Sequence, residues 1–220
     1  MSVTTIVMNP IIYAYLQEQG MRESLVQREL RELTATLPGG GMQISPEQGQ
    51  FMKLLVMIAG AKRILEVGTF CGYSALAMAM GLGAEGQLIT CDIDPRYPEH
   101  GLPFWQKAGV AEKIQLQIGP ALEYMEQLLA EGEQACFDMI FIDGDKRNYL
   151  NYYQRSYELV RSGGLILIDN VLWGGKVADP DASDPQTIVI RELNKLIHED
   201  QRVELCMLPV GDGLTIVRKK

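Results

Sequence analysis

No stretch of this chain approaches the about 18 consecutive apolar residues of a membrane-spanning helix. Its first residues, MSVTTIVMNPIIYAY, carry neither a basic n-region nor a long apolar h-region. Positive charge is scarce: 20 Lys and Arg stand against 28 Asp and Glu, for a net −8 and an isoelectric point near 4.9. Nothing supplies the cationic stripe that phosphate binding needs, so neither nucleic acid nor a membrane is expected as a partner. Cysteine is sparse as well. Cys71, Cys91, Cys136 and Cys206 are widely separated, with no C-x-x-C pair, and are expected to be reduced, mostly buried thiols. The two histidines, His100 and His198, sit in polar surroundings far apart, which leaves no zinc-type site to assemble. Also missing are the G-x-G-x-x-G turn of dinucleotide enzymes, internal repeats and low-complexity tracts. These absences leave a soluble, cytoplasmic, single-domain protein of 220 residues, 47% of them hydrophobic, as the expectation.

What is present alternates regularly. Residues 10–36 carry mixed charge at helical spacing and end at LPGGG, where Pro and repeated Gly break the pattern. Ser45 reads as an N-cap, Pro46 as the first helical position and Gln48 as a capping-box partner, opening a helix to about Ala59. Short apolar strands then alternate with helices: RILEVG, QLITCDID, KIQLQIG, FDMIFIDG and GGLILIDN. Such alternation predicts an α/β fold with a mostly parallel sheet and helices on both faces. The final RVELCMLPVGDGLTIVRKK differs, with two strands joined by a tight turn over Val210 to Gly213, so an antiparallel pair should close the sheet.

Two strands end in the same kind of chemistry. FDMIFIDGDKRNY (137–149) runs into Asp143, Asp145 and Lys146, and GGLILIDNVLWGG (163–175) into Asp169 and Asn170. In an open α/β sheet ligands bind beyond the strands' carboxyl ends. If these strands are neighbours, two carboxylates and an amide converge there, a set suited to a hard divalent cation such as Mg²⁺, Mn²⁺ or Ca²⁺, with a lysine beside it. Each residue also has a plain reading. Asp143 or Asp145 could cap the next helix, and Asp169 and Asn170 could be turn formers. Lys146 fits that reading badly, because a cation in a first turn opposes the helix dipole. In EVGTFCGYS, Gly68 and Gly72 occupy the turn after the first strand, where lack of a Cβ lets a nucleotide approach. Glu66 just before it suits a cationic or hydroxyl-rich ligand such as S-adenosylmethionine. Asp92, 24 residues past Gly68, stands where an acid can take ribose hydroxyls. Met42 and Trp173 flank these segments as candidate walls for an aromatic acceptor.

Taken together, MQISPEQGQF, ILEVGTFCGYSALAMA, CDID, KAGVAEKI, GPAL, FDMIFIDGDKRNY, GGLILIDNVLWGGKV and LPVGDGLTI resemble the cation-dependent O-methyltransferases of the caffeoyl-CoA and catechol type. The resemblance runs from about residue 42 to the C-terminus. It implies a Rossmann-like seven-stranded sheet with an antiparallel last strand, a core over 42–220 behind an N-terminal helical arm (1–41), and a homodimer. It implies Asp143, Asp169 and Asn170 as metal ligands, and Ile44, Glu66, Gly68, Thr69, Ser74, Asp92, Ala121 and Asp145 around S-adenosylmethionine. Lys146, beside Asp143, falls on the family's catalytic lysine, and Trp173 and Met42 fall on the acceptor wall. A divalent cation held by both oxygens of a vicinal diphenol would stabilise the phenolate, and Lys146 would take the proton as general base.

The departures from that family bear on the acceptor. Gly144 stands where Ala is usual, and Gly174 replaces an Asn that touches the acceptor in plant enzymes. The segment KVADPDASDPQTIVI is short and carries three Asp against one Lys, without the basic, tyrosine-rich loop that helps dock a CoA ester. The expected small-molecule acceptor is therefore a phenol of the catechol, caffeic acid or flavonoid type, ahead of caffeoyl-CoA. A nicotinamide-dependent oxidoreductase and a noncatalytic nucleotide-binding protein are the rival readings on the same sheet.

Overall fold

A computed structural model of the chain describes residues 5–220. Seven strands form one sheet: β1 (Arg63–Val67), β2 (Gln87–Asp92), β3 (Ile114–Ile118), β4 (Phe137–Ile142), β5 (Val160–Ile168), β6 (Val203–Leu208) and β7 (Leu214–Lys219). Their order is β3-β2-β1-β4-β5-β7-β6, parallel from β3 to β5 and antiparallel at β5–β7 and β7–β6. The predicted hairpin is there, closed by the Gly213 N–H donating to the Val210 carbonyl at 2.9 Å, and its second strand is the one inserted beside β5.

Among the described residues eight α-helices surround the sheet: α1 (Pro10–Gly20), α2 (Leu25–Ala35), α3 (Pro46–Ala59), α4 (Tyr73–Ala79), α5 (Pro98–Lys107), α6 (Ala121–Ala130), α7 (Tyr149–Leu159) and α8 (Pro185–Glu199). Strands β1 and β4 are buried on both sides, as continuous apolar runs require. One core layer packs α6, α7 and α8 against the sheet through Met125, Tyr153 and Leu193. The opposite layer packs α2 to α5 through Leu30, Met52, Leu76 and Trp105. The segment 10–36 thus holds two helices, of which α2 buries Leu30 completely while α1 buries none of its residues.

Ser45 caps α3 by accepting the Gln48 N–H, but no capping box closes. The Gln48 side chain is buried and turns instead toward Asp169. The cysteine expectation is corrected in half: Cys71 and Cys91 are buried, whereas Cys136 and Cys206, at a loop and on the edge strand β6, are exposed.

Strand register does the positioning. Ile142 of β4 pairs with Ile168 of β5 and with Val67 of β1, and Val67 pairs with Cys91 of β2. One residue further along each strand come Asp143, Asp169, Gly68 and Asp92, in a single row at the carboxyl edge. The chain order reverses between β1 and β4, so this row lies across the switch point where doubly wound sheets open a crevice.

Candidate active site

A cavity of about 990 Å³ opens over that row. Of the fourteen residues singled out from the sequence, thirteen line it: Met42, Ile44, Gly68, Thr69, Ser74, Asp92, Ala121, Asp143, Asp145, Lys146, Asp169, Asn170 and Trp173. The fourteenth, Glu66, is fully buried beneath its floor.

At one end Lys146 gathers the polar groups. Its ammonium donates to Asp143 Oδ1 at 3.1 Å, Asn170 Oδ1 at 2.6 Å and Tyr149 Oη at 2.5 Å. Lys146 begins a single 3-10 turn ahead of α7, and its side chain folds back to the strand ends, which resolves its conflict with the helix dipole. Burial, together with the charge of Asp169, pushes the Asp143 carboxyl up to about 7, and burial likewise raises Asp169. One ammonium does not offset two carboxylates held this close away from water. Asn170, at φ +59°, is in the left-handed region, and its N–H donates to Asp169 Oδ1 at 2.7 Å. Such backbone strain in a non-glycine residue is tolerated where it aims a side chain. Among the described residues no trio of His, Cys, Asp or Glu forms a metal cluster. The oxygen-rich group here is two carboxylates and an amide, and its charge deficit and donor types fit a hard divalent cation.

The other end is built from turns. Gly68, at φ +97°, has no room for a side chain: a Cβ would lie 2.3 Å from the Asp143 carbonyl oxygen. Asp92 Oδ2 accepts the N–H groups of Thr69 at 3.1 Å and Phe70 at 2.7 Å, while Oδ1 accepts that of Asp94 at 3.0 Å. Asp145 does not cap a helix; its carboxylate accepts Tyr152 Oη at 2.6 Å and Asn148 Nδ2 at 3.0 Å. Trp173 and the Lys146 ammonium face each other at 5.9 Å, and Met42, largely exposed, forms the rim. Sequence reasoning missed Tyr149, Tyr152 and Gln48. The two tyrosines carry no motif of their own and Gln48 reads as a cap, and only packing aims them at this site.

Glu66 Oε2 accepts the Thr90 hydroxyl at 2.5 Å, but Oε1 has no partner, and burial raises the carboxyl to about 8. A folded-state value above the ordinary 4.5 means folding disfavours the charged form, so the ligand-free protein loses stability as pH rises from about 5 to about 8. Glu66→Gln should flatten that part of the pH–stability curve in denaturant titrations. An identical slope in the variant would show that Glu66 is not the group responsible.

A model of the O-methyltransferase family matches residues 17–220. The chain belongs to the O-methyltransferase family. It is 46% identical over 216 residues to a caffeoyl-CoA O-methyltransferase of Eucalyptus gunnii, covering 94% of this chain and 87% of that one. Among solved structures, the O-methyltransferase of Bacillus cereus in complex with S-adenosylhomocysteine superposes with a TM-score of 0.86 at 31% identity, covering 96% of this chain and 97% of that one. TomG of Streptomyces achromogenes, an O-methyltransferase of tomaymycin synthesis in complex with S-adenosylmethionine, gives 0.85 at 28%, covering 96% of each. This methyltransferase is thus an enzyme of the S-adenosylmethionine-dependent class, with that class's Rossmann-like sheet. Neither the nicotinamide nor the noncatalytic reading is favoured. No helix among its described residues is long and apolar enough to cross a membrane.

Proposed function

We propose that this methyltransferase is divalent-cation dependent and methylates one hydroxyl of a vicinal diphenol. The observation that carries the reading is the convergence of Asp143, Asp169, Asn170 and Lys146 at the ends of β4 and β5. Asp143, Asp169 and Asn170 would hold the cation, whose charge when bound favours the phenolate of an acceptor with two adjacent oxygens. Lys146 is placed to take the hydroxyl proton at Nζ, with Tyr149 fixing the amine's position. Trp173 and Met42 form the acceptor wall. Ile44, Gly68, Thr69, Ser74, Asp92, Ala121 and Asp145 would hold S-adenosylmethionine, with Glu66 shaping the floor beneath. Holding acceptor oxygen and methyl donor in line is chiefly a positioning effect.

The acceptor should be a free diphenol. Asp179, Asp181 and Asp184 lie on the loop beyond Trp173 and repel CoA phosphates modestly at physiological salt. A comparison of kcat/KM for caffeic acid, caffeoyl-CoA and p-coumaric acid tests this. Caffeic acid should be turned over at least as well as its CoA ester, and the monophenol should be inert. A strong preference for the ester would overturn the loop reading, and methylation of the monophenol would overturn chelation.

The protein should also work as a homodimer in the cytoplasm. Four free cysteines suit a reducing compartment. Ile11 and Tyr15 of α1 and Leu54, Met57 and Ile58 of α3 expose apolar area suited to a second copy. Light scattering on the eluting protein should give twice the 24.5 kDa chain mass, and a monomer at micromolar concentration would exclude it.

A further inference from the structure

We propose that Arg191, a residue of α8 outside the cavity lining, is a positioning residue for the acceptor, holding the loop after Trp173 in its wall-forming conformation. This rests on the reading of Trp173 as an acceptor wall. Three consecutive residues of that loop are left-handed: Trp173 at φ +49°, Gly174 at +59° and Gly175 at +83°. A Cβ at either glycine would meet nothing, so these glycines serve backbone conformation alone, and local sterics do not lock the turn. Something outside the loop has to hold it.

Arg191 does so through main-chain carbonyls. Its Nε donates to Val177 O at 2.9 Å, Nη1 to Ala182 O at 2.7 Å, and Nη2 to Lys176 O at 2.8 Å and to Asp179 O. Although Asp179, Asp181 and Asp184 lie nearby in sequence, Arg191 forms no ion pair among the described residues; its donors are committed to the backbone. One turn along the same helix, Asn194 Nδ2 donates to Val171 O at 2.9 Å, anchoring the chain just before Trp173. From the hairpin turn, Asp212 Oδ1 accepts the Gly174 N–H at 2.5 Å. The segment 171–182 is thus fastened at both ends and at its apex; across its outer half Arg191 supplies the hydrogen bonds to the main chain, beside an exposed Lys176–Asp184 ion pair. A guanidinium presents five donors in a rigid fork, so it can bridge four carbonyls where a lysine's single ammonium cannot.

A wall fixed before the acceptor arrives avoids the ordering penalty of binding. Arg191→Lys and Arg191→Met should therefore raise the acceptor KM about tenfold. kcat should stay within about twofold and S-adenosylmethionine affinity should be unchanged, a split that separates acceptor positioning from general damage. Hydrogen exchange should quicken over 174–182 and not in β1 or β4. An unchanged acceptor KM, or a parallel loss of S-adenosylmethionine affinity, overturns the inference. If the methionine variant does not fold, the lysine variant carries the same test. The exchange measurement needs no acceptor: unchanged protection over 174–182 in a folded variant overturns the proposal whatever the acceptor proves to be. Absence of diphenol turnover by the wild type, by contrast, counts against the acceptor reading itself.

Discussion

EDTA should abolish methyl transfer by this enzyme, and Mg²⁺ or Mn²⁺ should restore it. Asp169→Ala should lower kcat/KM by about 10³-fold or more, since a bound cation would supply several kcal/mol of charge stabilisation to a developing phenolate. The motive is local. Asp143 and Asp169 sit side by side through the Ile142–Ile168 pairing, Asp169 is buried and Asp143 largely so, and among the described residues the cation paired with Asp143 is Lys146. Removing one of two buried like charges relieves repulsion, so the ligand-free Asp169→Ala protein should melt no lower than the wild type while losing its activity. Activity assays with and without chelator, beside melting curves of both proteins, check the two halves. Full turnover in EDTA, or in Asp169→Ala, would remove the cation from the mechanism.

Lys146→Ala should lower kcat by roughly 10² to 10⁴, the range for loss of a general acid–base group, while S-adenosylmethionine affinity should stay near that of the wild type. Lys146→Arg should not rescue it, because a guanidinium keeps its proton at any working pH. The lysine's side chain leaves its own turn to reach Asp143, Tyr149 and Asn170, a geometry that no helix-stabilising role accounts for. Single-turnover rates at saturating S-adenosylmethionine across pH 6 to 9 give the result. A variant with wild-type kcat over that range would leave Lys146 a structural counter-ion only.

The sequence by itself determined the element order, the parallel sheet with its antiparallel close, and the set of candidate site residues. Those signals are local. Apolar runs specify buried strands and Ser45 and Pro46 specify a helix start, whereas the carboxylates after the β-branched runs also admitted capping and turn readings. Even the convergence of Asp143 with Asp169 was conditional in the sequence, since it needed β4 and β5 to be neighbours. Tertiary structure decided that adjacency and the exact register, and so put four strand ends in one row. It also decided the roles that depend on direction. Tyr149 and Tyr152 satisfy the same helical periodicity whether they fill a core or face a cavity. Gln48 has the spacing of a cap but is drawn to Asp169. The surface exposure of Cys136 and Cys206 depends on which loop and which strand stand at an edge. Arg191 gave no local signal at all, because its partners are carbonyls 9 to 15 residues upstream, and every residue has a carbonyl.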